Sequence, residues 1–118
     1  MAVVSMGTLE IAIDIATYLA MSVDGFSPHQ SWGLGSLAIP ELTPAEVRFE
    51  PMGFDYSSGV GYRYLDSETW PTTYDESSGW LCVGDVTASR AFVITTGTAL
   101  SIEDGVMTAI WLLPEMTR

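Results

Sequence analysis

The chain has 118 residues, 47% of them hydrophobic, and its 15 aspartates and glutamates against four arginines give a formal net charge of −11 at pH 7. This length and hydrophobic content predict one globular domain over residues 1–118. The negative charge argues against binding to nucleic acid or to an anionic membrane surface, because both carry phosphates, and it permits a cationic protein partner.

The first predicted element is a helix over residues 8–23. Apolar residues recur there at helical spacing, and Thr8 and Gly25 are suitable residues for its beginning and its end. The stretch from Leu9 to Ile15 also alternates as a strand does, so the alternative is a strand there followed by a shorter helix. The helix is preferred because the whole stretch is much longer than a usual strand.

The apolar N-terminal stretch also raises the question of a signal or membrane segment. No basic residues precede it, and Glu10 and Asp14 interrupt the apolar run. A membrane span needs about 20 apolar residues without such charges. We therefore expect a soluble protein that is not exported and resides in the cytoplasm.

Residues 25–79 are predicted to be mostly loops, with two short regular elements. The segment from Thr43 to Glu46 has the pattern of a capping box with proline in the first helical position, which predicts a helix of one or two turns. Alternation from Val60 to Leu65 predicts a strand. Residues 66–79 are polar and acidic and predict a loop that carries two large aromatic residues.

Residues 79–114 predict four short antiparallel strands joined by tight turns. The pair Asp104-Gly105 lies between two alternating apolar runs, which predicts a two-residue hairpin loop with positive φ at both residues. This loop sets a register in which Ile102 faces Met107, Leu100 faces Ala109 and Thr98 faces Trp111, with Ala99 and Ile110 on the other face.

The predicted fold class is therefore α+β, an N-terminal helix packed on an antiparallel β-meander. Both faces of the meander are expected to be apolar: Phe92, Ile94, Ala99, Ile110 and Leu112 on one side, and Val93, Leu100 and Ile102 on the other. One helix cannot cover both faces. We expect the remainder to be covered by residues 25–60 or by another subunit.

Few residues in the chain suit catalysis or metal binding. Cys82 lies in an apolar strand without a basic neighbour in sequence, which indicates a buried structural cysteine. His29 lies in a polar loop and is interpreted as an exposed histidine without a catalytic role. The acidic residues lack the spacing of a calcium-binding loop. We expect no enzyme activity, no catalytic residue, no metal and no cofactor.

The acidic loop is the candidate partner-binding site. Carboxylates speed the encounter with a cationic protein, and large aromatic side chains provide contact area at low entropic cost. The predicted partner-binding residues are Asp66, Glu68, Trp70, Tyr74, Asp75 and Glu76. The competing interpretation is a solvated loop whose aromatic residues cover the core.

One resemblance concerns the spacing of three segments, namely Glu41 to Glu46, Trp80 to Asp85 and Ala91 to Ile94. This spacing resembles that of the SUKH superfamily of bacterial immunity proteins. The resemblance implies a small α+β antidote that binds a partner toxin. The chain departs from that family after Glu50, where the family's long helical stretch is missing, and after Asp85, where its glycine-rich signature is missing.

These observations predict a non-enzymatic, acidic protein-binding domain, such as an inhibitor of or an immunity-type antidote to a cationic protein. Its acidic face would imitate the charge of nucleic acid and block a basic groove. One alternative is a small-ligand-binding domain that uses the aromatic loop and an open sheet face. The other is an obligate homo-oligomer whose interface is the apolar sheet face.

Overall fold

A computed structural model of the chain describes residues 2–6, 9–25, 33–49, 61–63 and 70–113. The described residues form strands and turns and contain no helix, so the predicted α+β class is wrong and this part of the chain is all-β. It follows that none of the described residues belongs to a helix that could span a membrane.

The strands form two sheets. In chain order they are β1 (Ala2–Met6), β2 (Leu9–Ile13), β3 (Ala20–Gly25), β4 (Gly33–Leu34), β5 (Glu41–Pro44), β6 (Gly61–Arg63), β7 (Thr72–Tyr74), β8 (Leu81–Gly84), β9 (Arg90–Thr95), β10 (Thr98–Glu103) and β11 (Val106–Leu112). The first sheet has the order β3-β2-β1-β6, and the second has the order β4-β7-β8-β11-β10-β9-β5.

The last four strands agree with the prediction in number but not in order. Strands β9, β10 and β11 form an antiparallel meander, whereas β8 pairs with β11 and not with its chain neighbour β9. Three consecutive antiparallel strands with a fourth strand beside one end of the three form a Greek key, and here β8 lies beside β11. This order brings the end of β8 next to the beginning of β11.

The predicted N-terminal helix is replaced by a hairpin of β2 and β3. Alternate residues of β2 are buried, namely Leu9, Ile11 and Ile13. Asp14 ends the strand because its Oδ1 accepts hydrogen bonds from the backbone N–H of Ala16, at 2.8 Å, and of Thr17, at 3.3 Å. Such a side-chain bond to the following backbone favours a turn over a helix. The strand alternative is confirmed over Leu9–Ile13, but the shorter helix after it is wrong.

The helix predicted from the capping box is also wrong, because Glu41–Pro44 forms β5. This strand lies parallel to β9 at the edge of the second sheet. The backbone N–H of Glu41 donates to the carbonyl oxygen of Ser89, and that of Ala45 donates to Val93, both at 3.0 Å. These two bonds lie on either side of the predicted helix start and hold the segment in an extended conformation along β9. The strand predicted around residues 60–65 is confirmed over Gly61–Arg63.

The hairpin between β10 and β11 confirms the predicted loop. Asp104 and Gly105 have φ of 50° and 77°, and Ile102 pairs with Met107 as expected. A β-bulge then shifts the register, so Leu100 pairs with Ile110 and Ala99 with Trp111. The predicted pairs of Leu100 with Ala109 and of Thr98 with Trp111 are wrong, because Thr108 is an extra residue on β11 and one extra residue reverses the faces beyond it.

Each face of the second sheet carries a buried cluster. The face with Leu81, Val83, Leu100, Met107 and Ile110 packs against Val4, Ile11 and Ile13 of the first sheet. The opposite face carries a second cluster of Cys82, Ala91, Ala99, Ala109 and Trp111, against which Leu37, Trp80 and Val93 pack. Leu37 comes from the segment between β4 and β5, as expected for a cover supplied by residues 25–60.

Candidate functional site

The structure describes Trp70, Tyr74, Asp75 and Glu76 of the predicted partner-binding residues. Asp66 and Glu68 lie outside the described residues, as does His29. Strand β7 runs through the predicted loop, so Trp70 precedes this strand and Glu76 follows it. A strand advances about 3.3 Å per residue, and the two side chains therefore lie at opposite ends of β7.

At the far end of β7, Asp75 has an internal role. It is only 6% exposed. Its Oδ2 accepts a hydrogen bond from the backbone N–H of Leu37 at 2.8 Å, and its Oδ1 accepts from the backbone N–H and the hydroxyl of Ser77 at 2.9 and 2.6 Å. The bond from Leu37, followed by that from the Ser77 hydroxyl, lowers the pKa of Asp75 to about 2. Asp75 thus connects the turn after β7 to the segment between β4 and β5. Its neighbour Glu76 is exposed.

Tyr74 also contributes to the fold. It is half-buried, pairs with Leu81 of β8, and packs against the core between the two sheets. Its carbonyl oxygen accepts a hydrogen bond of 3.1 Å from the backbone N–H of Gly35. Trp70 is also half-buried and packs against the same core; among the predicted residues that the structure describes, Glu76 is the exposed one.

An open groove of about 540 Å³ lies beside Trp70, where β7 and β11 begin and β8 ends. Its lining residues are Trp70, Pro71, Gly84, Asp85, Val106, Met107 and Thr108. Three segments that are distant in sequence build it, because the Greek-key order places β8 between β7 and β11. The sequence predicted Trp70 as a contact residue but missed the other walls.

Gly84 positions the Trp70 ring. Its backbone N–H donates to the carbonyl oxygen of Pro71 at 3.0 Å, which fixes the chain next to Trp70. Gly84 has a φ of 113°, a conformation that residues with a side chain rarely adopt. A Cβ at Gly84 would overlap the carbonyl oxygen of Thr108 and lie 3.2 Å from Cε3 of Trp70. The indole therefore lies directly on the glycine backbone.

Asp85 is the acidic residue among those that line the groove. Its backbone N–H donates to the carbonyl oxygen of Thr108 at 3.0 Å, which attaches this residue to β11. Its Oδ1 accepts hydrogen bonds from the hydroxyl of Thr87 at 2.6 Å and from the backbone N–H of Thr87 at 2.8 Å. These two bonds lower the pKa of Asp85, so its carboxylate is ionised at neutral pH.

The groove therefore combines an aromatic wall with a fixed carboxylate. Both of the hydrogen bonds from Thr87 are accepted by Oδ1, and Oδ2 of Asp85 accepts none from the described residues. Glu103, which is exposed, pairs across the hairpin with Val106 of the groove. Aromatic and aliphatic walls beside carboxylates suit a positively charged group on an apolar stem.

Cys82 is buried, as predicted. Its thiol donates to the carbonyl oxygen of Asp85 at 3.7 Å, and burial, with a smaller effect of the Asp85 charge, raises its pKa to about 12. A thiol with such a pKa is not a nucleophile at neutral pH. Within the described ranges, His, Cys, Asp and Glu side chains form no group of three that could hold a metal ion.

Comparisons of the chain with protein-family models, with curated proteins and with solved structures found no match. The resemblance to the SUKH superfamily therefore stays a hypothesis that rests on the spacing of its segments.

Proposed function

We propose that the chain is a non-enzymatic domain that binds a cationic protein, as an inhibitor or as an immunity-type antidote. The observation that carries the proposal is the groove of Trp70 and Asp85 on a chain with a formal net charge of −11. Among the side chains that the structure describes, one ion pair is formed, between Arg48 and Glu46 at 3.7 Å. Most of the described carboxylates are thus not neutralised by an arginine of the chain.

The charge and the groove would act at different stages of binding. Exposed carboxylates attract a cationic protein from a distance and raise the association rate, an effect that salt screens beyond about 8 Å at physiological ionic strength. An aromatic side chain that loses its water at the centre of an interface lowers the dissociation rate. We therefore assign steering to the acidic residues and anchoring to Trp70.

The test is a kinetic binding measurement against the proteins encoded on either side of its gene and against a panel of small basic proteins. Affinity should fall steeply between about 50 and 500 mM salt, mainly through the association rate. An acidic protein of similar size serves as the negative control. The proposal is wrong if no cationic protein binds at low salt, or if salt leaves the association rate unchanged.

Variants of the predicted loop then separate the two roles. The triple variant Asp66→Asn, Glu68→Gln, Glu76→Gln should lower the association rate at low salt and leave the dissociation rate nearly unchanged. It retains Asp75, since that carboxylate is bonded within the fold. Trp70→Ala should mainly raise the dissociation rate, with a loss of about 2 kcal/mol if Trp70 is a hot spot.

The control for a general loss of charge is Glu41→Gln. Glu41 is exposed on β5, the edge strand that lies farthest from β4 and β7 in the second sheet. It should change the association rate less than any single substitution in the predicted loop. An association rate that is equal in the triple variant and in the unmodified protein would contradict steering by this loop.

A second candidate function is the binding of a small ligand in the same groove, which has a volume of about 540 Å³ but is open to solvent over much of its surface. Binding of a neutral small molecule that raises the melting temperature, and that Trp70→Phe abolishes, would support this function. Both faces of the second sheet carry buried clusters, so we propose the groove and not a sheet face as the site for such a ligand.

The homo-oligomer hypothesis depended on an apolar sheet face that one helix could not cover. In the structure, one face of the second sheet packs against the first sheet within the same chain. Sedimentation of the purified protein would test the hypothesis directly.

A further inference from the structure

We infer that the groove beside Trp70 receives one arginine side chain of the cationic partner, with its guanidinium group against the indole ring and paired with the carboxylate of Asp85. This inference rests on the proposed function and specifies the chemistry by which that partner is recognised. Three observations support it: the apolar residues that line the groove, the hydrogen bonds that orient the Asp85 carboxylate, and the net negative charge of the chain.

The walls suit a long apolar stem. Trp70, Pro71, Val106 and Met107 contribute apolar surface to the groove, and the indole is held in place on the Gly84 backbone. Arginine and lysine bury their methylene stems on such surfaces while the charged end stays near water. Tryptophan is also the aromatic residue that attracts a cation most strongly through its ring face.

The carboxylate of Asp85 is prepared for a cation. Its Oδ1 is fixed by two hydrogen bonds from Thr87, while Oδ2 accepts none from the described residues. The carboxylate is therefore held in one orientation before the partner arrives, with one oxygen available. Charge-assisted hydrogen bonds from a guanidinium to a carboxylate are stronger than neutral ones.

Arginine fits this arrangement better than lysine. A guanidinium group is planar, stacks on an aromatic ring and donates in a fixed fork, whereas an ammonium group is compact and strongly hydrated. Glu103, the cross-strand partner of Val106, brings a second carboxylate to the same end of the hairpin.

Other occupants are disfavoured by the same charges. An anion would be repelled by Asp85 and by the net charge of −11. A neutral aromatic group would take water from the Asp85 carboxylate without replacing its hydrogen bonds, which is costly for a charged group. A cation on an apolar stem satisfies both the ring and the carboxylate.

The experiment titrates the full chain with three capped tripeptides, Gly-Arg-Gly, Gly-Lys-Gly and Gly-citrulline-Gly. Binding is followed by NMR at the indole N–H of Trp70, whose signal is assigned with Trp70→Phe. The arginine peptide should shift this signal in a saturable way and bind more tightly than the lysine peptide. The citrulline peptide has nearly the same shape as the arginine peptide but no charge, and it should bind at least tenfold more weakly than the arginine peptide.

Asp85→Asn should weaken binding of the arginine peptide by roughly tenfold or more, because the asparagine loses the charge. The amide oxygen of asparagine can still accept both bonds from Thr87, so the turn should be retained, and a thermal melt checks this. Glu41→Gln, which removes one charge on the edge strand β5, is the matched control and should leave binding within twofold. Equal binding of the arginine and citrulline peptides, an unshifted Trp70 signal, or equal effects of Asp85→Asn and Glu41→Gln would overturn the inference.

The outcomes separate this inference from the proposed function. If a cationic protein binds with the expected salt dependence but the arginine peptide leaves Trp70 unchanged, the proposed function stands and the inference is wrong. If the arginine peptide occupies the groove in the expected order but no cationic protein binds, the site stands and the proposed function is wrong.

Discussion

The carboxylate of Asp75 accepts a hydrogen bond of 2.8 Å from the backbone N–H of Leu37, which lies 38 residues earlier in the chain. Leu37 packs against the cluster that contains Cys82 and Trp111. The turn between β7 and β8 therefore fastens the segment that covers one face of the second sheet. A residue that the sequence suggested as a partner contact has, in the structure, a role in closing the core.

The first prediction concerns pH. Because the folded protein holds the pKa of Asp75 at about 2, below the ordinary value of 3.8, the stabilisation by this group is complete above pH 3.8 and disappears as the pH falls through about 2. Urea unfolding of Asp75→Asn should show lower stability at neutral pH. Its difference from the unmodified protein should shrink between pH 3.8 and about 2.

Glu76→Gln is the control, since Glu76 is the exposed neighbour of Asp75 and makes no hydrogen bond to Leu37. It should follow the unmodified protein through the same pH range. A difference between Asp75→Asn and the unmodified protein that stays constant down to about pH 2 would contradict the assignment.

The second prediction is that Gly84→Ala destabilises the protein and moves Trp70. A methyl group would overlap the Thr108 carbonyl in a backbone conformation with a φ of 113°, so strain and crowding together should cost at least about 2 kcal/mol. Gly33→Ala is the control, because a Cβ there meets its nearest atom, the carbonyl oxygen of Thr72, at 3.4 Å. Urea unfolding measures both variants, and similar midpoints would contradict the close packing at Gly84.

Local signals in the sequence predicted local structure well. Asp104-Gly105 requires nothing beyond two residues that tolerate positive φ, and the loop forms as expected. The apolar neighbours of Cys82 were sufficient to predict its burial. The register beyond the loop was not predictable in this way, because no local pattern in the sequence marked the bulge at Thr108 that shifts the pairing of β11 with β10.

The N-terminal error and the incomplete site have a related cause. Residues 9–23 fit both periodicities, and pairing of β2 with β1 and β3 decided between them. The acidic residues around Trp70 in the sequence were sufficient to suggest it as a contact residue. The groove beside it was not predictable, because Asp85 and Val106 lie near Trp70 only as a result of the strand order β7-β8-β11. Likewise, no local pattern indicates that Asp75 bonds to Leu37.

The third prediction tests the hairpin loop. Gly105 has a φ of 77°, and no other atom lies within 4 Å of the position that a Cβ would take, so the backbone conformation alone limits substitution. Gly105→Val should destabilise by more than about 1 kcal/mol, whereas Gly105→Asn should cost less, since asparagine tolerates this region. Equal urea midpoints for the two variants would contradict a loop with this geometry.

The fourth prediction concerns Cys82, the single cysteine of the chain. Because it is buried and its pKa is about 12, a thiol reagent at pH 8 should label it only as fast as the domain opens. The labelling rate should rise with urea in parallel with unfolding, and unfolded protein should react completely as the control. Rapid labelling of the folded protein would show that the cluster around Trp111 is open to solvent.

The fifth prediction concerns the polar contact inside that cluster. Ser101 is fully buried; its hydroxyl accepts a hydrogen bond from the indole N–H of Trp111 at 2.9 Å and donates to the carbonyl oxygen of Arg90 at 2.9 Å. Ser101→Ala should cost about 1–3 kcal/mol, because it leaves the buried indole N–H without an acceptor. Trp111→Phe removes that donor, so Ser101→Ala should cost less in the Trp111→Phe background than alone. A double-mutant cycle by urea unfolding measures the difference, and strictly additive costs would mean that the two side chains do not stabilise each other.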